Sequence, residues 1–439
     1  MSVDIQEIRT WKQQSEAHLH NELLPFWLDR CWDDQYGGFI TQFDAGGNDS
    51  GVDEKSLLAH MRTIYSLSLA SMKGHDPDRR CEELARKGVQ VALDSYWDPV
   101  YGGFYWLFNR KNEVLIDKKI VYGLSFAIYA LSTYTQAFGD PVGLEYASRC
   151  FDLLQLHAAE TTWGGYLEMF ERNWSLCGSG PQGGDRKTLD VHMHLMEAFT
   201  ALYAASGREV HRRKLEQIIE LLITRIMHPE YKTGIPQFYS DWKQAPQIKF
   251  DIIWGWDRYD EGSGEKPNAL DNTSYGHNVE FFWLLLDSLR VMGKTTDEYE
   301  RLFETILSHA VSHGVDETYG GVYVEGSHDG RRVYDDAKEF WQQAEFLTGM
   351  LDAYLLFGDK KYLRAYKLVH DFVMEKMINH EVGEWLPLLK RDGSPIWRHM
   401  SHSWKVNYHT IRAVVLACER LDRVLINKET HFPKREVEE

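Results

Sequence analysis

Little in this chain of 439 residues suits an oxidising compartment, a lipid bilayer or a polyanionic partner. Its five cysteines (Cys31, Cys81, Cys150, Cys177 and Cys418) are dispersed with no CxxC spacing, which predicts reduced thiols rather than a disulfide framework. No run approaches the ~18 apolar residues of a membrane span. The N-terminal MSVDIQEIRTWKQQSEAHLHNELL is polar and helical in pattern, unlike a signal peptide. Basic residues are in deficit: 49 Lys and Arg against 66 Asp and Glu give a formal charge of −17, which disfavours nucleic acid, anionic membrane surfaces and strongly anionic substrates. The expectation is a soluble cytoplasmic protein. No GxSxG elbow is present, and GSGPQGG (178–184) lacks the Lys-Ser/Thr ending of a phosphate loop.

What the chain does have is a turn signature that recurs six times. It reads WDDQYGGF (Gly37), WDPVYGGFYW (Gly102), TTWGGYLEM (Gly164), YKTGIPQF (Gly234), DETYGGVYVEG (Gly320) and VGEWLPLL (Gly383), in steps of 65, 62, 70, 86 and 63 residues. A period of that size holds two helices and two loops, so the repeats predict six helical hairpins closed into a toroid, an all-α (α/α)6 barrel with short extended segments in its loops. One domain is expected over 1–425, followed by a charged tail at 426–439. The predicted outer helices, such as EELARKGVQVALDSYW and HRRKLEQIIELLITRI, are amphipathic. The inner ones, such as IVYGLSFAIYALSTY and YGHNVEFFWLLLDSL, are apolar on most sides, as a ring enclosed by another ring requires.

Near the start of each inner helix stands one polar residue: Arg62, Ser125, His194, His277, Gln343 and His409, in steps of 63, 69, 83, 66 and 66. Equivalent positions on successive inner helices converge on the axis of a toroid. Any one histidine is more often a hydrogen-bonded core residue, but three in one phase with an arginine predict a site. In the fourth repeat the distance from glycine to polar residue rises to 43, from 22 to 29 elsewhere. The excess of roughly 15 to 20 residues lies in the insertion 241–272, rich in Trp, Pro, Gly and Asp; a loop of that length is usually functional, and a lid or wall at the pocket is expected. Its tryptophans are Trp242, Trp254 and Trp256.

Metal binding is disfavoured because His192 and His194, two apart on a helix, point about 200° away from each other; no metal and no cofactor is predicted. Glycoside hydrolysis needs two flanking carboxylates, for which Asp190, Asp251, Asp257, Glu280 and Glu345 are candidates, but imidazoles hold the in-phase positions. An imidazole with its unperturbed pKa of ~6.5 suits proton transfer near neutrality. Two of them facing a carbon acid from opposite sides invert that carbon, and a guanidinium holds the enediolate charge. The aromatic share of 13 %, with 15 Trp and 23 Tyr, suits sugar stacking as well as a large core.

These residues resemble the N-acylglucosamine 2-epimerase superfamily from about residue 10 to 425, and within it the cellobiose and mannose 2-epimerases. The resemblance is carried by VYGGFYW, KKIVYGLSFAIYALS (119–133), HMHLMEAFTALY (192–203), YGHNVE (275–280), FWQQAE (340–345) and WKVNYH (404–409). It implies an (α/α)6 barrel, a monomer or homodimer, and metal-free deprotonation and reprotonation through a cis-enediol. On matching positions it implies His277 and His409 as the acid/base pair at C2 and His194 as an aid to ring opening or to the intermediate. Arg62, Tyr122, Glu280, Trp341, Glu345 and Trp404 fall in its substrate-binding motifs; Asp190 stands where cellobiose epimerases have Asn. The long insertion is more like the mannose 2-epimerases, so the expected reaction interconverts D-mannose and D-glucose. Alternatives are a cellobiose 2-epimerase, an aldose–ketose isomerase using one base, and the protein-binding role of some superfamily members.

Overall fold

The computed structural model describes residues 4–252 and 270–430. Asp257, Trp254 and Trp256 therefore lie outside the described residues. Helix α1 (Ile5–His18) passes through a π-helical turn into α2 (Leu24–Arg30); then come α3 (Leu57–Met72), α4 (Arg80–Val91), α5 (Val121–Phe138), α6 (Pro141–Leu153), α7 (Leu189–Ser206), α8 (Glu209–Leu221), α9 (Tyr275–Met292), α10 (Glu300–His309), α11 (Phe340–Phe357), α12 (Lys360–Phe372) and α13 (Tyr408–Thr430). Helices α3, α5, α7, α9, α11 and α13 pack side by side in that order, and α13 returns to α3, closing a ring. Each of α4, α6, α8, α10 and α12 packs outside the inner helix that precedes it. The first outer helix has no predecessor and packs on α13, so the two ends of the chain close the toroid. This is the (α/α)6 barrel expected from the repeats.

Why each inner helix starts where it does is clear from its cap. Ser56, Thr188 and Ser274 accept the backbone N–H of Ala59, Val191 and His277 through their hydroxyl oxygens, satisfying donors that a helix start leaves open. Two- and three-residue strands precede these helices and pair with the strand after the next glycine turn: Lys55–Ser56 with Leu107–Phe108, Lys119–Ile120 with Met169–Phe170, Arg186–Thr188 with Gln237–Tyr239, Asn272–Ser274 with Glu325–Ser327, and Lys338–Glu339 with Leu388–Leu389. A bridge between Phe43 and Ser401 completes this crown. At some of these turns the glycine is sterically required. Gly165 has φ +79°, and a Cβ there would lie 2.6 Å from Trp242 and 2.9 Å from His192 Nε2.

A buried ion pair recurs beneath the crown. Asp98 accepts the backbone N–H of Val100 at 2.9 Å and of Tyr101 at 3.2 Å, shaping the turn, and binds Lys119 Nζ at 3.0 Å, with both side chains fully buried. Arg172 of the following repeat reaches the same carboxylate at 3.0 Å. Burial opposes the charge on Asp98, but Arg172, the turn amides and Lys119 outweigh it and hold the carboxyl below its ordinary value. Asp33 with Lys55 and Arg110, Asp316 with Lys338 and Arg391, and Glu160 with Lys187 repeat the device; in the last repeat Lys405 pairs with Glu384. Among the described residues the fourth repeat lacks it. His228 Nδ1 takes the turn amides of Glu230 and Tyr231, and Thr273 stands where the lysine stands elsewhere, its hydroxyl donating to Gly234 O at 2.9 Å. That is the repeat with the insertion.

Three expectations need correction. Trp242 belongs to the repeat, not to the insertion: it is buried on His192, and its Nε1 donates to Trp163 O as Trp174 Nε1 donates to Tyr101 O one repeat earlier. The helix α13 runs on to Thr430, into the segment expected as a tail. Gln343 and Ser125 do not face the axis; Gln343 is tied to the backbone N–H and C=O of Val322, and Ser125 donates to Tyr122 O. All five cysteines are buried and unpaired, as predicted.

Removing one partner of a buried pair strands the other charge. Lys119→Met is expected to lower stability by about 3 kcal/mol, whereas removal of the exposed pair partner Lys361 costs well under 1 kcal/mol by the same measure, about the worth of a surface pair. Urea denaturation of the two variants checks this; equal losses would refute the role of the stitch.

Candidate active site

A cavity of about 340 Å³ opens at the end of the barrel where the first turns of the inner helices meet. Six helix N-termini around one cavity supply fixed partial positive charge without any side chain. The cavity is lined by Arg62, Tyr122, Asp190, His194, His277, Glu280, Trp341, Trp404 and His409, so nine of the ten residues singled out from sequence come together. Glu345 does not line it; it lies fully buried behind His409, whose Nδ1 meets its Oε1 at 2.7 Å.

The imidazoles differ in their surroundings. His409 is buried, its Nδ1 engaged by Glu345 and its Nε2 left for the cavity. Burial pushes its pKa down to about 3 against the opposing pull of Glu345, so it is neutral and able to accept a proton near neutral pH. His194 is likewise buried, Nδ1 at 2.9 Å from Glu197 Oε2, with burial lowering its pKa. His277 is the most open of the three, its side chain 20 % exposed, with Nε2 3.3 Å from Asp190 Oδ1. Trp341 lies between the two candidate proton-transfer residues, its ring 4.5 Å from that of His277 and 5.9 Å from that of His409. Arg62 donates to Trp404 O at 2.6 Å and to the Tyr122 hydroxyl at 2.9 Å, and lies 4.4 Å over Phe126.

One turn below the imidazoles is a second layer, of which the sequence singled out only Glu280 and Glu345. Arg412, one turn after His409, donates to Glu197, one turn after His194; to Glu280, one turn after His277; and to Glu345. The Tyr408 hydroxyl joins them. The signal was present as the spacing His-x-x-Glu (194–197), His-x-x-Glu (277–280) and His-x-x-Arg (409–412), which stacks each pair on one helix face. Burial and the neighbouring Glu345 charge push Glu280 well above the ordinary carboxylate range. Glu345 stays ionised: burial opposes this, but Arg412 and His409 outweigh it. The ligand atoms of Glu280, Glu345 and His409 lie within 4.8 Å of one another, close enough for a metal ion. Arg412 Nη2 already sits among them, 3.0 Å from Glu280 and 2.6 Å from Glu345, and supplies the cation. The same contacts bear on glycoside hydrolysis, because two carboxylates that share one guanidinium nitrogen do not flank a bond. Asp251 is exposed beside the wall.

Residues Gln247, Ile248, Lys249, Phe250 and Ile252 form one side of the cavity, so the described start of the insertion is a wall, as expected of it. His402 and Trp397, from the loop before α13, also line the cavity and were not anticipated.

A barrel of this kind, with a small cavity of polar side chains at its open end, suits an enzyme acting on small molecules. The chain belongs to the N-acylglucosamine 2-epimerase (GlcNAc 2-epimerase) family, whose model matches residues 38–413, and is by that membership a carbohydrate-epimerase enzyme. It is 28 % identical to the cellobiose 2-epimerase of Bacteroides fragilis, over 92 % of this chain and 97 % of that protein. It is 24 % identical to the D-mannose isomerase of Marinomonas mediterranea, over 91 % and 94 %. The solved cellobiose 2-epimerase of Spirochaeta thermophila superposes with a TM-score of 0.82 at 26 % identity, covering 95 % of this chain and 98 % of that one.

Several buried imidazoles share the situation of His409. Burial lowers His192 and His370 to about 3, and His60 and His328 to about 4. Below about pH 6.5 the unfolded chain binds protons there that the folded chain refuses. Stability is therefore full above that pH and declines as pH falls from about 6.5 toward 4. Melting temperatures taken across this range should be level above it and fall below it; a flat profile to about pH 4.5 would contradict the burial of neutral imidazoles.

Proposed function

We propose that this protein interconverts D-mannose and D-glucose by metal-free proton transfer at C2 of the ring-opened sugar. The observation that carries this reading is the placing of His277 and His409 on one cavity, with Trp341 beside both rings. His409 with a bare Nε2 is the base that takes the C2 proton, and His277 returns a proton to the other face. The C–H electron pair becomes the C1–C2 double bond of a cis-enediol, and negative charge grows on the carbonyl oxygen. Arg62 and the ring of helix N-termini stabilise that charge. Asp190, Glu325 and Glu339 on the wall, against Arg62 and Lys249, favour a neutral sugar over a phosphorylated one. The wall at 247–252 narrows the cavity and favours a single sugar ring.

The relatives named cellobiose 2-epimerase support a second reading, in which the reducing-end glucose of a β-1,4-disaccharide is epimerised. The aromatic faces of Phe250 and Trp397 on the cavity suit a second ring. Proton NMR with D-mannose in D2O separates the readings. Glucose carrying deuterium at C2 is the expected product. Fructose as the main product would replace the epimerase with an isomerase, and turnover of cellobiose alone would give the second reading. His277→Asn and His409→Asn are each expected to lower kcat by at least about 100-fold with an unchanged fold by circular dichroism; activity within tenfold of wild type in either would overturn the two-base assignment.

A further inference from the structure

The imidazoles of the cavity are not held in the same way. His194 and His409 present Nδ1 to carboxylates buried behind them, Glu197 and Glu345, each almost fully buried. This leaves their Nε2 atoms bare toward the cavity. His277 shows the opposite arrangement: a carboxylate, Asp190, faces its Nε2, and Asp190 is itself on the cavity wall with a side chain 48 % exposed. A carboxylate oxygen offers only lone pairs, and so does a bare imidazole nitrogen. At 3.3 Å the contact is favourable only when Nε2 carries a proton. The ring has little freedom to turn away, since Trp341 covers it at 4.5 Å and Ser274 anchors the first turn of α9 through the His277 backbone N–H. Asp190 is the second residue of α7, which fixes its place at the cavity wall.

We propose that Asp190 is a positioning residue that keeps a proton on Nε2 of His277, so that the substrate-free site holds one bare and one protonated imidazole nitrogen. The proposal rests on the two-imidazole reading above. It makes the two histidines unequal before substrate arrives. His409 Nε2 takes the C2 proton and becomes an imidazolium on Glu345. The step requires His277 to enter as the imidazolium that faces Asp190; it then gives its Nε2 proton to C2 from the other face and is left neutral. One proton enters and one leaves the sugar, and the charge on the enzyme is unchanged. The site then stands ready for the reverse direction, and must exchange protons with solvent before repeating the forward one. Without Asp190, His277 meets the enediol with no proton to give, and the carbon recovers one from His409 on the face it came from.

Two measurements on the full chain test this. Nitrogen-15 NMR of histidine-labelled protein, with the His277 signals identified by their loss in His277→Asn, should show Nε2 protonated at neutral pH in the wild type, bare in Asp190→Leu, and protonated again in Asp190→Glu. A bare Nε2 in the wild type, or no change in Asp190→Leu, overturns the proposal whatever the turnover. In D2O, the ratio of C2-deuterated starting sugar to C2-deuterated epimer should rise about tenfold in Asp190→Leu. A fall in both products with an unchanged ratio would mean that Asp190 serves only the fold of the wall, and would also overturn it. A wild type that exchanges no sugar would overturn the epimerase reading alone, and the nitrogen spectra would then decide the role of Asp190 by themselves.

Discussion

Arg412 sits on the axis of the barrel, about 1 % exposed, and three carboxylates from three different helices end on it. A lone charge in such a place would be costly, and so would any one of the carboxylates. Together they form a knot that α7, α9, α11 and α13 must all reach at the same height. Burial, together with the excess negative charge of three acids around one guanidinium, pushes Glu280 toward its neutral form, while Arg412 keeps Glu345 and Glu197 ionised against the same burial. The imidazole layer stands on this one: His194 on Glu197, His409 on Glu345, and His277 one turn above Glu280. The geometry of the candidate chemistry is thus inherited from an ion cluster whose central Arg412 does not line the cavity.

The same economy of parts governs the outer wall of the cavity. A turn carboxylate, a lysine two or three residues before the next inner helix, and in several repeats an arginine from the following repeat pin each crown segment to its neighbour. Because the pairs are buried, their contribution is not screened away as a surface pair would be. The fourth repeat departs from the pattern, with His228 and Thr273 in place of the acid and the lysine. There the chain leaves the crown to build the wall at 247–252. A rigid stitch in five repeats and its absence, among the described residues, in the fourth fit a barrel that is uniform except where one side of its mouth differs.

The lining of the cavity mixes both signs: the helix N-termini and Arg62 favour negative charge, and the carboxylates of Asp190, Glu325 and Glu339 disfavour it. A neutral molecule that becomes anionic only while reacting is suited to both, which is the behaviour of an aldose passing through an enediolate.

The period of the glycine turns, the alternation of amphipathic and apolar helices, and the phase of His194, His277, His409 and Arg62 were all legible in the chain, because a closed repeat must reuse the same local chemistry at the same spacing. So were Tyr122, Trp341 and Trp404, which came from a family likeness rather than from periodicity. What the sequence by itself could not supply was rotation about each helix axis. Neighbouring residues on a helix differ by about 100°, so Gln342 lines the cavity while Gln343, chosen by phase, turns outward to Val322. Glu345 was named as a sugar contact, yet packing of α11 against α13 places it under His409 instead. Arg412 and Glu197 carry no sequence sign of being partners, and only the closure of the ring, which brings residues more than 200 positions apart onto one axis, joins them. Sequence determined which residues recur; the tertiary structure decided which of them meet, because meeting depends on helix rotation and ring closure, and neither is a local property.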